Sequence, residues 1–253
     1  MRDKIVIVTG ASSGIGRATA AVFAKAGSTV CAVGRNEIEL AALRDEHADA
    51  DGTITVQLAD VTEASQVDRM VSEIVEAFGH IDVLVNSAGI ILNGNIQTTK
   101  EDDWDKMMDV NLRSVFCLMQ KCIPYMTEVK GNIVNVSSVA GTRSFPGVLA
   151  YSVSKAAIDQ LTRCSALELA ALGIRVNAVN PGVVATNIHT RGGMDADAYS
   201  DFLERSKGTH PIGRTGDAAE IADLIYYLAS DKAGWITGAT YAIDGGRALT
   251  CAR

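Results

Sequence analysis

"KIVIVTGASSGIG", residues 4–16, runs from an unbroken apolar stretch straight into a turn punctuated by glycine. Val, Ile and Thr favour a pleated backbone, and a continuous rather than alternating apolar run predicts a strand buried on both faces. Gly10, Gly14 and Gly16 give the spacing G-x-x-x-G-x-G. It differs from the dinucleotide fingerprint G-x-G-x-x-G but meets the same physical demands. These are a sharp turn, close approach of backbone to a pyrophosphate, and a helix N-terminus with free N–H groups. Ser12 and Ser13 can add hydroxyl donors. A glycine turn between strand and helix also occurs without any ligand, so its weight comes from its place at the first strand–helix junction.

The same pattern repeats outward along the chain. Strand-like runs lie at 4–10, 29–34, 53–59, 81–89, 132–138, 174–182 and 240–246, with helical patterns near 14–26, 37–48, 63–78, 101–126, 152–172 and 217–229. Alternating strands and helices with continuous apolar strands predict an α/β fold: one Rossmann-type, doubly wound parallel sheet of about seven strands, with helices on both faces. No linker, repeat or low-complexity tract divides it, so residues 1–253 read as a single domain. Pro124 should end or bend the helix at 101–126. Residues 187–210 fit no strand and follow a strand end, which marks them as a substrate lid with Gly192-Gly193 as a hinge.

Composition narrows the function classes. Apolar residues make up 47% of the chain and aromatics 5%, a set dominated by small side chains suited to close helix–sheet packing. A net charge of −7 argues against nucleic acid or an anionic membrane as partner. No apolar run approaches the ~20 residues of a membrane span, and the N-terminus enters a strand directly, so a cytoplasmic protein is expected. Cys31, Cys117, Cys122, Cys164 and Cys251 show no C-x-x-C spacing, and the first four read as reduced core thiols. The four histidines are scattered, and no metal site is expected.

Chemistry enters with "LAYSVSKAAIDQL", residues 149–161. Tyr151 and Lys155 stand at i and i+4 on one face of an alanine-rich helix. An unperturbed tyrosine loses its proton near pH ~10, and a fixed positive neighbour favours the phenolate. That would bring it into the range of a general acid or base.

Taken in order, "TGASSGIG", "ADV" (59–61), "NSAG" (86–89), Asn111 in "DVNLRS", "NVSSVAG" (135–141), "YSVSK" and "NPGVVAT" (180–186) resemble the single-domain short-chain dehydrogenases/reductases, essentially end to end. Ser87 departs from the second asparagine found in many members. The resemblance implies an NAD(P)(H)-dependent oxidoreductase interconverting a carbonyl and a secondary alcohol. Its catalytic set would be Asn111, Ser138, Tyr151 and Lys155. Tyr151 would be the general acid and base, and Lys155 would depress its pKa and bond the nicotinamide ribose. Ser138, thirteen residues before the tyrosine, would hold the substrate oxygen. Asn111, on a locally distorted helix, would hold a water that links Lys155 to solvent. Charge building on a carbonyl oxygen requires such a donor and a titratable acid already aimed at it.

The cofactor would lie along Gly10, Ser12, Ser13, Gly14, Ile15 and Gly16, with Asp60 and Val61 at the adenine and Asn86, Ala88 and Gly89 on the adenine-ribose side. Pro181, Gly182, Val184 and Thr186 would shape the nicotinamide end. Many members that prefer NAD place an acid at the end of the second strand to bond the ribose 2′-hydroxyl. Here that position is Gly34, followed by Arg35, which admits and can grip a 2′-phosphate. NADP(H) is therefore expected, with NAD(H) as the alternative. Ile91, Phe145 and Tyr199, with Ser138 and Tyr151, would face a small-molecule carbonyl or alcohol. Relatives that reduce acyl groups on a carrier protein bear basic docking residues where this chain has Val129 and Leu172, with Lys130 and Arg175 adjacent. Helices 101–126 and 152–172 would pair between subunits to give a homotetramer. The rivals are an NAD-dependent hydroxysteroid-type dehydrogenase of the same family and a non-catalytic dinucleotide sensor. The second would be expected to lack the tyrosine or the lysine.

Overall fold

The opening stretch forms β1 (Ile5–Thr9), a central strand with all five residues buried. The computed structural model describes residues 1–250, and Cys251 lies outside them. Around β1 run β2 (Thr29–Gly34), β3 (Thr53–Leu58), β4 (Val83–Asn86), β5 (Asn132–Val136), β6 (Arg175–Pro181) and β7 (Thr240–Ile243). All pairings are parallel, in the order β3-β2-β1-β4-β5-β6-β7. The register sets Val6 opposite both Val30 and Val83, so β1 is paired along both edges.

The helices are α1 (Gly14–Lys25), α2 (Glu37–Glu46), α3 (Ala64–Phe78), α4 (Glu101–Met108), α5 (Ser114–Cys122), α6 (Leu149–Leu169), α7 (Ile188–Arg191), α8 (Ala196–Thr209) and α9 (Ala218–Ala229). Successive strand residues point to opposite faces, and each face meets its own helical layer. Ile5, Ile7, Leu84 and Ile133 pack with Met70 and Ile74 of α3, Leu118 of α5 and Ile158 of α6. Val6, Val8, Val85 and Val134 pack with Phe23 of α1, Leu40 of α2 and Ile225 of α9. This is why the strands read as continuous apolar runs.

Three local departures from the sequence pattern have identifiable causes. Strand β4 ends at Asn86 rather than Gly89, because the N–H groups of Ser87 and Ala88 leave the ladder and donate to the Thr9 hydroxyl. The helical run from 101 is interrupted by a π-turn at Asp109–Arg113 and closes in a 3-10 turn at Ile123–Tyr125 that contains Pro124. Residues 187–210 contain α7 and α8, the latter started by the Asp195 carboxylate accepting from Ala198 N at 2.8 Å. The polar outer face of α8 hid that helix from a reading based on apolar runs.

The cysteine expectation holds for two of four. Cys31 and Cys122 are buried, and burial pushes their thiols up to about 11 and about 12. Cys117 is only half-buried and Cys164 is exposed, because each sits on the outer flank of its helix. Among the described residues no helix is long and apolar enough to cross a membrane. Nor does any group of three His, Cys, Asp or Glu side chains there stand close enough to hold a metal.

Candidate active site

Strand order reverses between β1 and β4, and the crevice at such a switch point opens at the C-terminal strand ends. A cleft of about 790 Å³ lies there, floored by the glycine turn. Gly10 has φ of +67°, in the left-handed region that favours glycine. A Cβ on Gly10 would stand 2.9 Å from Ala88 Cα, and one on Gly16 only 2.4 Å from the Gly10 carbonyl oxygen. Side chains at these positions would force the turn open. Helix α1 starts here with no side-chain cap from Ser13 and no acid in its first turn. Its leading N–H groups and positive dipole end are left for an anion, so the turn fits a pyrophosphate.

Ser138 ends β5's extension and caps a short 3-10 turn through Ala140 N at 3.1 Å. Tyr151 stands in the first turn of α6, and both residues line the cleft. Lys155, one turn on, is buried, donates to the Val136 carbonyl at 2.8 Å, and lies 5.6 Å from the centre of the Tyr151 ring. Burial pushes the Tyr151 phenol up from its ordinary value, with the Ser138 hydroxyl working in the other direction. A depressed phenol was the expectation. The direction differs because burial of the phenol outweighs the Ser138 hydrogen bond; Lys155 is itself held down to about 8 by burial, partly countered by Asp159.

Asp159 sits at i+4 from Lys155 on α6, and burial raises its carboxyl. Asn180 Nδ2 donates to its two oxygens at 2.9 and 3.1 Å and to the Ser138 carbonyl at 3.0 Å. One amide at the end of β6 thus ties the tyrosine's helix to the serine's segment. Asn111 lies in the π-turn, behind the cleft wall rather than on it. Its Oδ1 accepts from Ile90 N at 2.8 Å, and its Nδ2 donates to Ile90 O at 2.9 Å and Ser154 Oγ at 3.1 Å.

At one end Gly34, Arg35, Asp60 and Val61 line the cleft. Arg35 is largely exposed, and its Nη1 lies 3.2 Å from an Asp60 oxygen. A Cβ at Gly34 would meet only ordinary contacts, at 3.5 Å or more. Ser12, Ser13, Gly14 and Ile15 line the middle, facing Ala88 and Gly89. Pro181, Gly182, Val184 and Thr186 line the far end, with Ile91 and Phe145 on the wall beside Tyr151.

Two expected residues are placed elsewhere. Asn86 points into the sheet, where its Nδ2 donates to Asn135 Oδ1 at 2.9 Å, because β4 directs alternate side chains away from the crevice. Tyr199 turns its hydroxyl onto the Thr186 backbone, accepting from N at 3.0 Å and donating to O at 2.8 Å, so it braces the turn instead of facing the cleft.

The structure adds residues that the motifs did not mark. His210 is buried and accepts through Nε2 from Val183 N at 3.1 Å while its Nδ1 donates to Ser206 O, fixing its tautomer and bracing the Pro181-Gly182 turn. Arg191 of α7 donates to Ser13 Oγ at 2.9 Å, joining the 187–210 segment to the glycine turn. Asp159 alone carried a signal, its i+4 spacing from Lys155.

Comparison with known proteins accords with this geometry. A family model described as Enoyl-(Acyl carrier protein) reductase matches residues 10–248. The chain is 40% identical to the 3-oxoacyl-(acyl-carrier-protein) reductase FabG of Thermotoga maritima, over 97% of this chain and 98% of that one. It is 39% identical to a 3beta-hydroxysteroid dehydrogenase of Mediterraneibacter gnavus, over 96% and 94%. A Caenorhabditis elegans short-chain dehydrogenase/reductase of unknown function, solved with cofactor, superposes with a TM-score of 0.92 at 37% identity, covering 98% and 96% of the two chains.

The Asn111 bonds make a test that is independent of chemistry. Asn111→Leu keeps the volume but leaves both backbone groups of Ile90 without their partner, at about 1–3 kcal/mol for each group that stays buried. Urea unfolding should show a loss of about 2 kcal/mol or more. A loss under about 0.5 kcal/mol would mean that the π-turn is not held in this way.

Proposed function

Since this chain belongs to the short-chain dehydrogenase/reductase family of oxidoreductases, which act on CH–OH and C=O groups with a nicotinamide dinucleotide, we propose that it interconverts a small-molecule carbonyl and a secondary alcohol with NADP(H) preferred. In this reading residues 1–253 are one catalytic domain. The observation that carries the reading is the convergence of the uncapped glycine turn and the Ser138–Tyr151–Lys155 group on one cleft. The dinucleotide supplies a hydride donor or acceptor; the turn at Gly10–Gly16 would hold its pyrophosphate and Thr186 its nicotinamide end. Ser138 donates to the substrate oxygen, and Tyr151 delivers a proton to it as negative charge builds there. Buried Lys155 keeps a positive charge beside the phenol, favouring the phenolate left behind. Asn111 ties the Ile90 backbone to Ser154 of α6, and a water at its π-turn would link Lys155 to solvent.

Cofactor choice rests on Gly34 and Arg35. The Arg35–Asp60 pair is exposed, and such pairs are worth only about 0–1 kcal/mol, so the guanidinium is free to turn to a 2′-phosphate. Residues 187–210 act as the lid: α7 already touches Ser13, and a Cβ at Gly192 would stand 2.5 Å from the Ile91 carbonyl oxygen. Exposed Phe116 on α5 and Leu167 on α6 favour helix pairing in a homotetramer. Reduction of a carrier-bound acyl group is less well supported. Arg175 is spent on the carbonyls of Leu228, Ser230 and Ile236, and Val129 and Leu172 offer no charge to an acidic carrier.

Two outcomes test this reading. The first is a pH profile. Reduction needs a protonated phenol, raised above its usual value, and a charged Lys155 titrating at about 8. The kcat/KM for carbonyl reduction should therefore be level at lower pH and fall as pH rises through about 8. Asp159→Asn removes the carboxylate that supports the charge, so the break should move to lower pH. Tyr151→Phe should reduce turnover by ~10²-fold or more while still binding dinucleotide. Near-native turnover in that variant, or a break that does not respond to Asp159→Asn, would contradict the roles.

The second is cofactor specificity. Arg35→Ala should raise the KM for NADPH by roughly 10- to 150-fold, the equivalent of ~1.5–3 kcal/mol for a charge-assisted contact, with little change for NADH. Gly34→Asp should shift preference toward NADH. Equal losses for both cofactors in Arg35→Ala would return that residue to the plain surface.

A further inference from the structure

Beyond the reacting atoms, the substrate side of the cleft is apolar. Ile91, Val139, Phe145 and Phe202 line it. One cationic side chain breaks this lining on the Phe145 side: Arg247, which follows β7 in the short 3-10 turn Arg247–Leu249. Its guanidinium lies 4.7 Å from the centre of the Phe145 ring, which stands on the loop between Ser138 and Tyr151. Stacking on that ring fixes the plane of the guanidinium. One N–H donates to the Thr209 hydroxyl at the end of α8. Among the described residues no carboxylate forms an ion pair with it. The neighbouring Asp244 is committed to its own turn, accepting from Gly246 N at 3.0 Å and Ala248 N at 2.7 Å.

A half-buried guanidinium, oriented by an aromatic face and with most of its donors unspent among the described residues, is suited to a planar oxyanion. The Asp244 charge also acts on the guanidinium, and Arg143 donates to the Thr250 carbonyl at the end of the same turn. The nearby ring on the lid, His189, stacks on Phe202 at 4.6 Å, and burial depresses its pKa, so it adds no positive charge. The planar fork of the guanidinium presents two parallel donors that match the two oxygens of a carboxylate. Resting on the carbonyl-reductase reading, we propose that Arg247 anchors a substrate carboxylate, so that the substrate class is an oxo acid whose carboxylate and reacting carbonyl are separated by an apolar segment. The carbonyl sits at Ser138 and Tyr151, the segment lies along Phe145 and Ile91, and the carboxylate meets Arg247. The lid residue Thr209 shares the same guanidinium, so closure of α8 and capture of the anion are linked.

The test uses the full-length enzyme with NADPH and straight-chain methyl-ketone carboxylates, with one to six methylenes between the two groups, each paired with its methyl ester. Acids should exceed their esters in kcat/KM by ~10- to 150-fold at one favoured chain length, the ratio expected of a charge-assisted contact. In Arg247→Met that ratio should collapse toward one, and Arg247→Lys should restore part of it. Circular dichroism of each variant checks that the fold is kept. Esters reduced as well as acids by the wild type, or an acid-to-ester ratio unchanged in Arg247→Met, would overturn the anchor while leaving the reductase reading intact. Failure to reduce any acid, ester or simple ketone would instead overturn the reductase reading, and the anchor with it.

Discussion

The geometry depends on one constraint: the backbone after β1 must turn within a few residues and still let Ala88 and the start of α1 come into contact with it. The Gly10 and Gly16 distances leave no room for a Cβ at either position. Thr9, the last residue of β1, then gathers the backbone leaving β4 through Ser87 and Ala88. Two strand ends that would otherwise diverge are closed into one crevice wall. From that point the uncapped start of α1, the end of the cleft at Asp60 and the wall carrying Ile91 all take their positions.

The second half of the cleft is organised by buried polar bonds rather than by glycine. Asn180 and Asp159 join β6, α6 and the Ser138 segment, while Asn111 joins the π-turn to the backbone at Ile90 and to Ser154. Burying such groups is costly unless they are paired, and of this network only Asn180 Oδ1 has no partner among the described residues, so the bonds fix where Ser138, Tyr151 and Lys155 stand relative to one another. The same burial explains why Lys155 is held to about 8 and why the Tyr151 phenol stands above its usual value. Desolvation outweighs the Ser138 hydrogen bond at the tyrosine.

What was legible in the sequence follows physical lines. Buried parallel strands announce themselves as continuous apolar runs, and glycine turns as spacing, so the sheet and its first crossover could be read directly. The i+4 pair Tyr151 and Lys155 was legible for the same reason, since helical spacing is local. Asn86 and Tyr199 were misplaced because the direction of a side chain at a strand end or on a lid depends on tertiary partners, Asn135 and Thr186. His210, Arg191 and Arg247 were invisible because each acts across a large sequence separation, on Val183, Ser13 and Phe145 respectively. Helix α8 escaped notice because its exposed polar face masks the apolar one.

The central claim is that this cleft brings a nicotinamide-bound hydride and the Tyr151 proton to one carbonyl. The direct measurement is the fate of deuterium from NADPH labelled at the transferable nicotinamide position, with a methyl ketone in ordinary water. The account predicts one deuterium on the carbinol carbon of each product molecule and none on its oxygen. Alcohol formed without carbon-bound deuterium, or label retained in the oxidised dinucleotide while ketone is consumed at this site, would contradict it.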